Sequence, residues 1–218
     1  MIVPIFVIIC GYFLGSIPTG YLAARIVKGI DLRSYGSGTV SASMVWEHVS
    51  RWILFPVGIF DMFKAALPTW LGLELGLGME VAGAAGLAAV IGHNWPIYLG
   101  FTGGRGLSPF LGVMLVIFPW GFVWLVAFLG VGFALGDSAP WALVGLATMP
   151  VLVYYLDGSS VIYWVILLML LLTLAKRLEA NRRPLPEHER ERRDVILRRL
   201  LFDRDIASHK DWLDRQPE

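Results

Sequence analysis

The chain is short of charge and almost without cysteine. Only 16% of its 218 residues are Asp, Glu, Lys or Arg, against 56% hydrophobic, and mean hydropathy is +0.66. A soluble domain of this size carries about 25% charged residues, so a water-soluble core is a poor fit to this composition. The single cysteine, Cys10, excludes a disulfide framework and a cysteine-based metal set. No basic residue precedes the first apolar run, whose first positive charge is Arg25, so that run reads as a retained span and not as a cleaved signal. Charge is missing altogether from residues 1–24, 81–104, 106–136, 138–156 and 158–175. Apolar blocks of this length are membrane helices.

The charges that do occur are sorted. Arg25, Lys28, Arg33 and Arg51 surround the first loop, Arg105 sits in a glycine-rich loop, and a further block of basic residues runs from Lys176 to Arg215. Glu74, Glu80, Asp137 and Asp157 stand in connections without a basic residue. An excess of Lys and Arg marks cytoplasmic loops. The N-terminus is therefore expected outside, with the first loop, the Arg105 loop and the tail inside. An even number of crossings must separate Arg105 from the tail. Pro119, the Gly136–Pro140 turn and the Asp157–Ser160 turn divide that region into four segments. The expected fold is an all-α polytopic membrane protein of seven spans, near 2–25, 52–73, 80–99, 106–118, 119–136, 140–156 and 160–176. It puts acidic Asp137 on the cytoplasmic side; five spans is the alternative. Residues 1–176 form the membrane domain. Residues 177–218 form a charged cytoplasmic tail, whose apolar patch at Val195, Ile196, Leu197, Leu200, Leu201 and Phe202 gives one helix face that suits the membrane surface.

Several polar residues fall where lipid is expected. Asp61 and Lys64 share a helix face inside the second span. Intramembrane charges face a bundle interior or a wet cavity, so the pair is either a self-neutralising strut or a site at which Lys64 helps to hold an anion. His93 and Asn94 stand just before Pro96. No second His or carboxylate lies at ligand spacing, which argues against a metal. No nucleophile–base pair is recognisable around any of the four histidines.

Two loops stand out. "DLRSYGSGTVSASM" carries Gly36 and Gly38 around Ser37, then the hydroxyls of Thr39, Ser41 and Ser43. "GFTGGRG" sets Gly103, Gly104 and Gly106 around Arg105 just before a helix. Glycines let backbone N–H groups converge on an anion, a helix N-terminus adds partial positive charge, and Arg offers a fork matched to phosphate oxygens. Both loops fall on one membrane face, which favours a phosphate site.

Three ordered blocks, "GSIPTGYLAARIVKGIDLRSYGSG", "DMFKAALP" and "GHNWPIYLGFTGGRG", resemble those of the bacterial acylphosphate:glycerol-3-phosphate acyltransferases, the PlsY family, over about residues 11–112. The resemblance implies an inner-membrane enzyme of seven helices without metal or cofactor, its site facing the cytoplasm. Such an enzyme moves a fatty acyl group from acyl phosphate to the 1-hydroxyl of glycerol 3-phosphate, giving lysophosphatidic acid and phosphate. It assigns catalytic roles to Ser37, Arg105, Lys64 and Asn181. Substrate binding falls to Gly36, Gly38, Thr39, Ser41, Ser43, His93, Gly103, Gly104 and Gly106. The chain departs from the family pattern at Thr39 and Met44, where Asn is usual, and at Glu47, where Arg is usual. It departs also at Ala65 for Gly, at Thr102 for Lys and at Leu178 for His. Arg51 and Arg33 are the candidates to replace the cation missing at Glu47. Two alternatives stay open: a re-purposed relative that binds a phosphorylated lipid precursor or regulates a catalytic copy, and a small transporter. The absence of a convincing internal repeat weighs against the transporter.

Overall fold

The computed structural model describes residues 2–35, 38–156, 159–208 and 211–212; Gly36 and Ser37, the centre of the first glycine-rich motif, lie outside the described residues. Among the described residues the regular structure is helical, with no strand. Ten α-helices follow in order: α1 Ile2–Gly15, α2 Thr19–Lys28, α3 Ala42–His48, α4 Leu54–Glu74, α5 Met79–Asn94, α6 Leu107–Ile117, α7 Pro119–Ala134, α8 Ser138–Leu156, α9 Ser160–Glu179 and α10 Glu189–Phe202. Three helical stretches, Ile2–Lys28, Ser138–Leu156 and Ser160–Glu179, are long and apolar enough to cross a membrane. Large apolar side chains such as Ile2, Phe6, Trp120, Tyr154 and Trp164 face outward, as lipid-facing residues do.

The first expected span is one helix in sequence but two in space. It breaks at Ser16–Pro18, between α1 and α2. A break in hydrocarbon frees backbone carbonyls that need donors. Lys64 supplies one: its Nζ donates to the Ile17 carbonyl at 2.9 Å and lies 2.7 Å from Asp61 Oδ1. The Thr19 hydroxyl, just past the break, donates to the same carboxylate. Lys64 and Asp61 are fully buried. The expectation that Lys64 reaches into an open cavity is corrected here: its ammonium is engaged by the broken helix and by Asp61. The third expected span stops at Asn94 and not at 99. Pro96 cannot continue the ladder, and a 3₁₀ turn over Ile97–Leu99 follows.

Small residues set the packing. Gly11 and Gly15 of α1 lie against the backbone of Ala85 and Ala89 of α5, and Gly92 lies against the Tyr12 carbonyl. The two helices therefore run parallel and close, as small-residue seams allow in membranes. Gly112 of α6 meets the backbone of Met62 of α4 in the same way. A larger apolar core of Phe110, Met114, Leu125, Leu146, Ile166 and Met169 joins α6 to α9.

One end of the bundle gathers the polar segments. Asn181 Nδ2 donates to the Gly38 carbonyl at 2.7 Å, across 143 residues of sequence. Trp95 Nε1 donates to Glu179, and Arg204 Nη1 lies 2.6 Å from Asp137 Oδ2. Asp137, the acid that charge sorting leaves as an exception, thus sits beside the basic tail, which neutralises it. At the other end the Ser159 hydroxyl approaches the Met79 sulfur at 3.8 Å. The tail is docked by arginines. Arg199, 2% exposed, donates to the carbonyls of Leu178, Arg183 and Pro184 and to Asp205. Leu197 and Leu201 of α10 remain exposed on its outer side.

Candidate active site

A cavity of about 430 Å³ opens at the polar end. The first loop contributes Ser41 and, through α3, Ser43, Met44, Trp46 and Glu47. The end of α5 contributes His93, and the second loop contributes Arg105 and Gly106 with the first residues of α6. So the structure brings two glycine-rich loops, 60 or so residues apart in sequence, to one cavity.

The hydroxyls of the first loop form a chain. Thr39 Oγ1 lies 3.1 Å from Ser41 Oγ, and Ser41 Oγ lies 2.9 Å from Ser43 Oγ. Thr39 is buried, while Ser41 and Ser43 reach the wall. The loop is held from below by a pocket of Ala24, Leu32, Val40, Met44 and Val45. Gly38 takes φ +69, where L side chains are strained, and lies behind the wall with its carbonyl on Asn181. Asn181 is therefore a brace on the first loop and not a wall residue; its Oδ1 is buried and without a partner among the described residues.

The second loop works by close approach. A Cβ at Gly103 would collide with the His93 carbonyl, and one at Gly104 with the His93 ring. The Gly104 N–H donates to that carbonyl at 3.0 Å, so it is not aimed at a ligand. These two glycines pack the loop onto His93; Arg105 and Gly106 are the positions that reach the cavity. Gly106, at φ +76, precedes α6, whose first residues Leu107 and Ser108 line the same cavity, so the helix N-terminus lies at its wall. His93 lies with Nδ1 3.5 Å from Asp61. Arg105 donates from Nη1 to the Lys176 carbonyl at 2.8 Å and from Nε to Asp203 at 2.9 Å, which leaves Nη2 for the cavity.

Two expected substitutes do not arrive. Arg33 is paired with Asp31 at 2.7 Å, and Arg51 lies over the Trp46 ring, 5.4 Å from its centre; neither lines the cavity. Glu47 does. Sequence reasoning missed the far wall, made of Asp137, Ser138, Thr173, Arg177, Phe202, Asp203 and Arg204. Arg177, 3% exposed, donates to the carbonyls of Leu200, Leu201 and Ala139, joining α9, α10 and α8. Buried Thr173 Oγ1 and Asp203 Oδ1 have no partner among the described residues. Buried polar atoms are nearly always paired, so a wall carrying such orphans suits a polar ligand. The far wall had no signal in sequence beyond the basic composition of the tail.

The surroundings grade from polar to apolar. Leu129, Phe133 and Trp46 close one side, and Phe133 is 70% exposed toward the outer face of α7. A ligand with a charged head and a long apolar chain fits that gradient.

The comparisons agree with the geometry. The family model for glycerol-3-phosphate acyltransferase matches residues 5–185. That span exceeds the 11–112 over which the motifs are legible. A protein of Dehalococcoides mccartyi named glycerol-3-phosphate acyltransferase 5 is 36% identical over 216 residues, covering 95% of this chain and 91% of its own. One from Synechococcus sp., named glycerol-3-phosphate acyltransferase, is 38% identical over 69% of this chain and 76% of its own. A crystal structure of PlsY, an integral membrane glycerol 3-phosphate acyltransferase, in its glycerol 3-phosphate form superposes with a TM-score of 0.75 at 26% identity, covering 83% of this chain and 90% of that one. Its lysophosphatidic acid form gives 0.73 at 25% identity, with the same coverage. On the fold, on the family match and on near full-length relatives, this chain belongs to the glycerol-3-phosphate acyltransferase family.

Proposed function

We propose that the 430 Å³ cavity is the active site of an acyl transfer to glycerol 3-phosphate, with acyl phosphate as the donor. The observation that carries this reading is the meeting of the two glycine-rich loops, Ser41–Glu47 and Arg105–Ser108, on one cavity wall. The acceptor hydroxyl attacks the acyl carbonyl carbon. A carbon–oxygen ester bond forms, the bond from carbonyl carbon to phosphate oxygen breaks, and the hydroxyl proton leaves with inorganic phosphate. Arg105 and the α6 N-terminus stabilise phosphate charge, and the Ser41–Ser43 hydroxyls orient the acceptor. The acyl chain lies toward Trp46, Leu129 and Phe133, where the wall opens outward. Ser37, in the motif shared with the family, is a catalytic residue of this reading, with Thr39 and Asn181 as supports of its loop. Lys64 supports the scaffold from below.

The same reading gives the membrane arrangement. Seven crossings are made by α1–α2 together and by α4 to α9. The N-terminus is outside, and the cavity and tail face the cytoplasm across the inner membrane. Asp137 beside Arg204 favours seven over five.

The test is phosphate release by purified protein in lipid, supplied with acyl phosphate. Release that requires glycerol 3-phosphate and yields lysophosphatidic acid is expected. Binding of both substrates without turnover would replace the enzyme with a binding relative.

A further inference from the structure

The cavity wall includes a segment beyond residue 185, where the family match ends. That segment, the turn after α10, brings Asp203 and Arg204 over the cavity. It is a built contact. Arg177 donates to the carbonyls of Leu200 and Leu201 just before it and to Ala139, and Arg199 donates to Asp205 within it and to the carbonyls of Leu178, Arg183 and Pro184.

The cations on the wall differ in what they can still bind. Arg177 is engaged by three carbonyls through Nη1 and Nη2. Arg105 is engaged through Nε and Nη1. Arg204 is hydrogen-bonded through Nη1 to Asp137, its guanidinium lies over the Phe202 ring at 5.0 Å from the centre, and its buried Nε has no hydrogen-bond partner among the described residues. Its side chain is 12% exposed, and it is one of the residues that line the cavity. The first loop, in contrast, adds an anion, Glu47. A phosphate dianion in this cavity needs cations from elsewhere, and a guanidinium with an unused buried donor is the strongest remaining source.

We propose that Arg204, carried by the C-terminal tail, is a second phosphate-binding residue of the site, acting together with Arg105. The proposal rests on the acyl-transfer reading for the choice of ligand. The tail then supplies a wall of the active site, and its docking by Arg177 and Arg199 is what holds that wall in place.

The test is equilibrium binding of radiolabelled glycerol 3-phosphate to the full-length protein in lipid nanodiscs, which needs no turnover. Arg204→Gln is expected to raise Kd about tenfold or more, and Arg204→Lys to recover part of the loss, since it keeps charge without the planar fork. Arg192→Gln, on the exposed side of α10, leaves Kd unchanged. Asp137→Asn separates binding from clasping: it weakens the Arg204–Asp137 contact but keeps the guanidinium, so Kd changes by less than about threefold. If Arg204→Gln folds poorly, the double variant Asp137→Asn/Arg204→Gln keeps a neutral hydrogen-bonded clasp and is still expected to bind about tenfold more weakly. Wild-type affinity in Arg204→Gln or in the double variant overturns the proposal. So does tighter binding in Arg204→Gln, and so does a loss in Asp137→Asn as large as in Arg204→Gln. Wild type that binds but does not release phosphate breaks the enzyme reading and leaves this comparison intact. Wild type that does not bind overturns both.

Discussion

At the scale of single residues, the site depends on which donors remain unpaired. Arg105 lines the cavity while its Nε and Nη1 are held by Asp203 and the Lys176 carbonyl. A lost charge-assisted bond costs about 1.5–3 kcal/mol, and each 1.4 kcal/mol is about tenfold. Arg105→Ala is therefore expected to raise KM for glycerol 3-phosphate about 10- to 100-fold, while Arg192→Ala changes nothing; equal effects would put the site elsewhere. Glu47 acts in the other sense. It lines the cavity proposed for phosphate, so Glu47→Gln is expected to lower KM severalfold in steady-state assays, and a rise would make Glu47 a ligand of the acceptor hydroxyls. Asp31 shows how the loop outside the site is stabilised. The hydrogen bond from the Arg33 side chain, with the Arg33 backbone N–H and the nearby charges, holds its carboxyl below the usual range despite partial burial. A depressed carboxyl adds stability above its ordinary pKa and loses it as pH falls below that value. The effect is small because the pair is partly exposed.

At the scale of elements, the break between α1 and α2 is the feature on which the polar end is built. It turns the chain toward the first loop, and Lys64, Asp61 and Thr19 satisfy what it exposes. Removing one member of a buried pair leaves an uncompensated charge and costs about 3–5 kcal/mol, whereas replacing both costs less. Lys64→Met alone is expected to lower the unfolding temperature in detergent more than Asp61→Leu/Lys64→Met. Additive losses in a double-mutant cycle would show that the two do not act as a pair. The α1–α5 seam makes a second demand. Gly15 has no room for a Cβ beside Ala89, so Gly15→Leu is expected to abolish stable folding, read as aggregation on size-exclusion chromatography. Phe133→Leu, with an exposed side chain on α7, leaves folding unchanged.

At the scale of the molecule, the chain is a helical bundle with all its chemistry at one end. Clustering there is what allows loops, an interhelical turn and a tail to share one cavity. It also makes the topology testable. In a Cys10→Ala background, single cysteines at Gly136 and His188 are expected to react with a membrane-impermeant reagent from the same side. A cysteine at Leu77 is expected to react from the opposite side. Reaction of Gly136→Cys from the side of Leu77→Cys would remove the seven-crossing arrangement.

What the sequence determined by itself was the class of molecule and the loops that matter. Uncharged blocks longer than a bilayer is thick have few structural solutions, and glycines around Arg105 and Ser37 leave a local signature. The helix break at Pro119 was likewise legible, because proline lacks the N–H a helix needs, whereas the earlier break at Pro96 was read through. The tertiary structure decided which polar residue meets which. Lys64 and Arg105 look alike in sequence as basic residues set between long apolar stretches. One is buried under a broken helix and the other faces the cavity, a difference made by contacts 47 and 71 residues away. The same holds for Arg204, an ordinary member of a basic tail until α10 docks on α9 and brings it to the same cavity as Arg105. Periodicity and local composition act over a few residues. A cavity wall assembled from six distant segments depends on packing, and packing is specified only when the whole chain is folded.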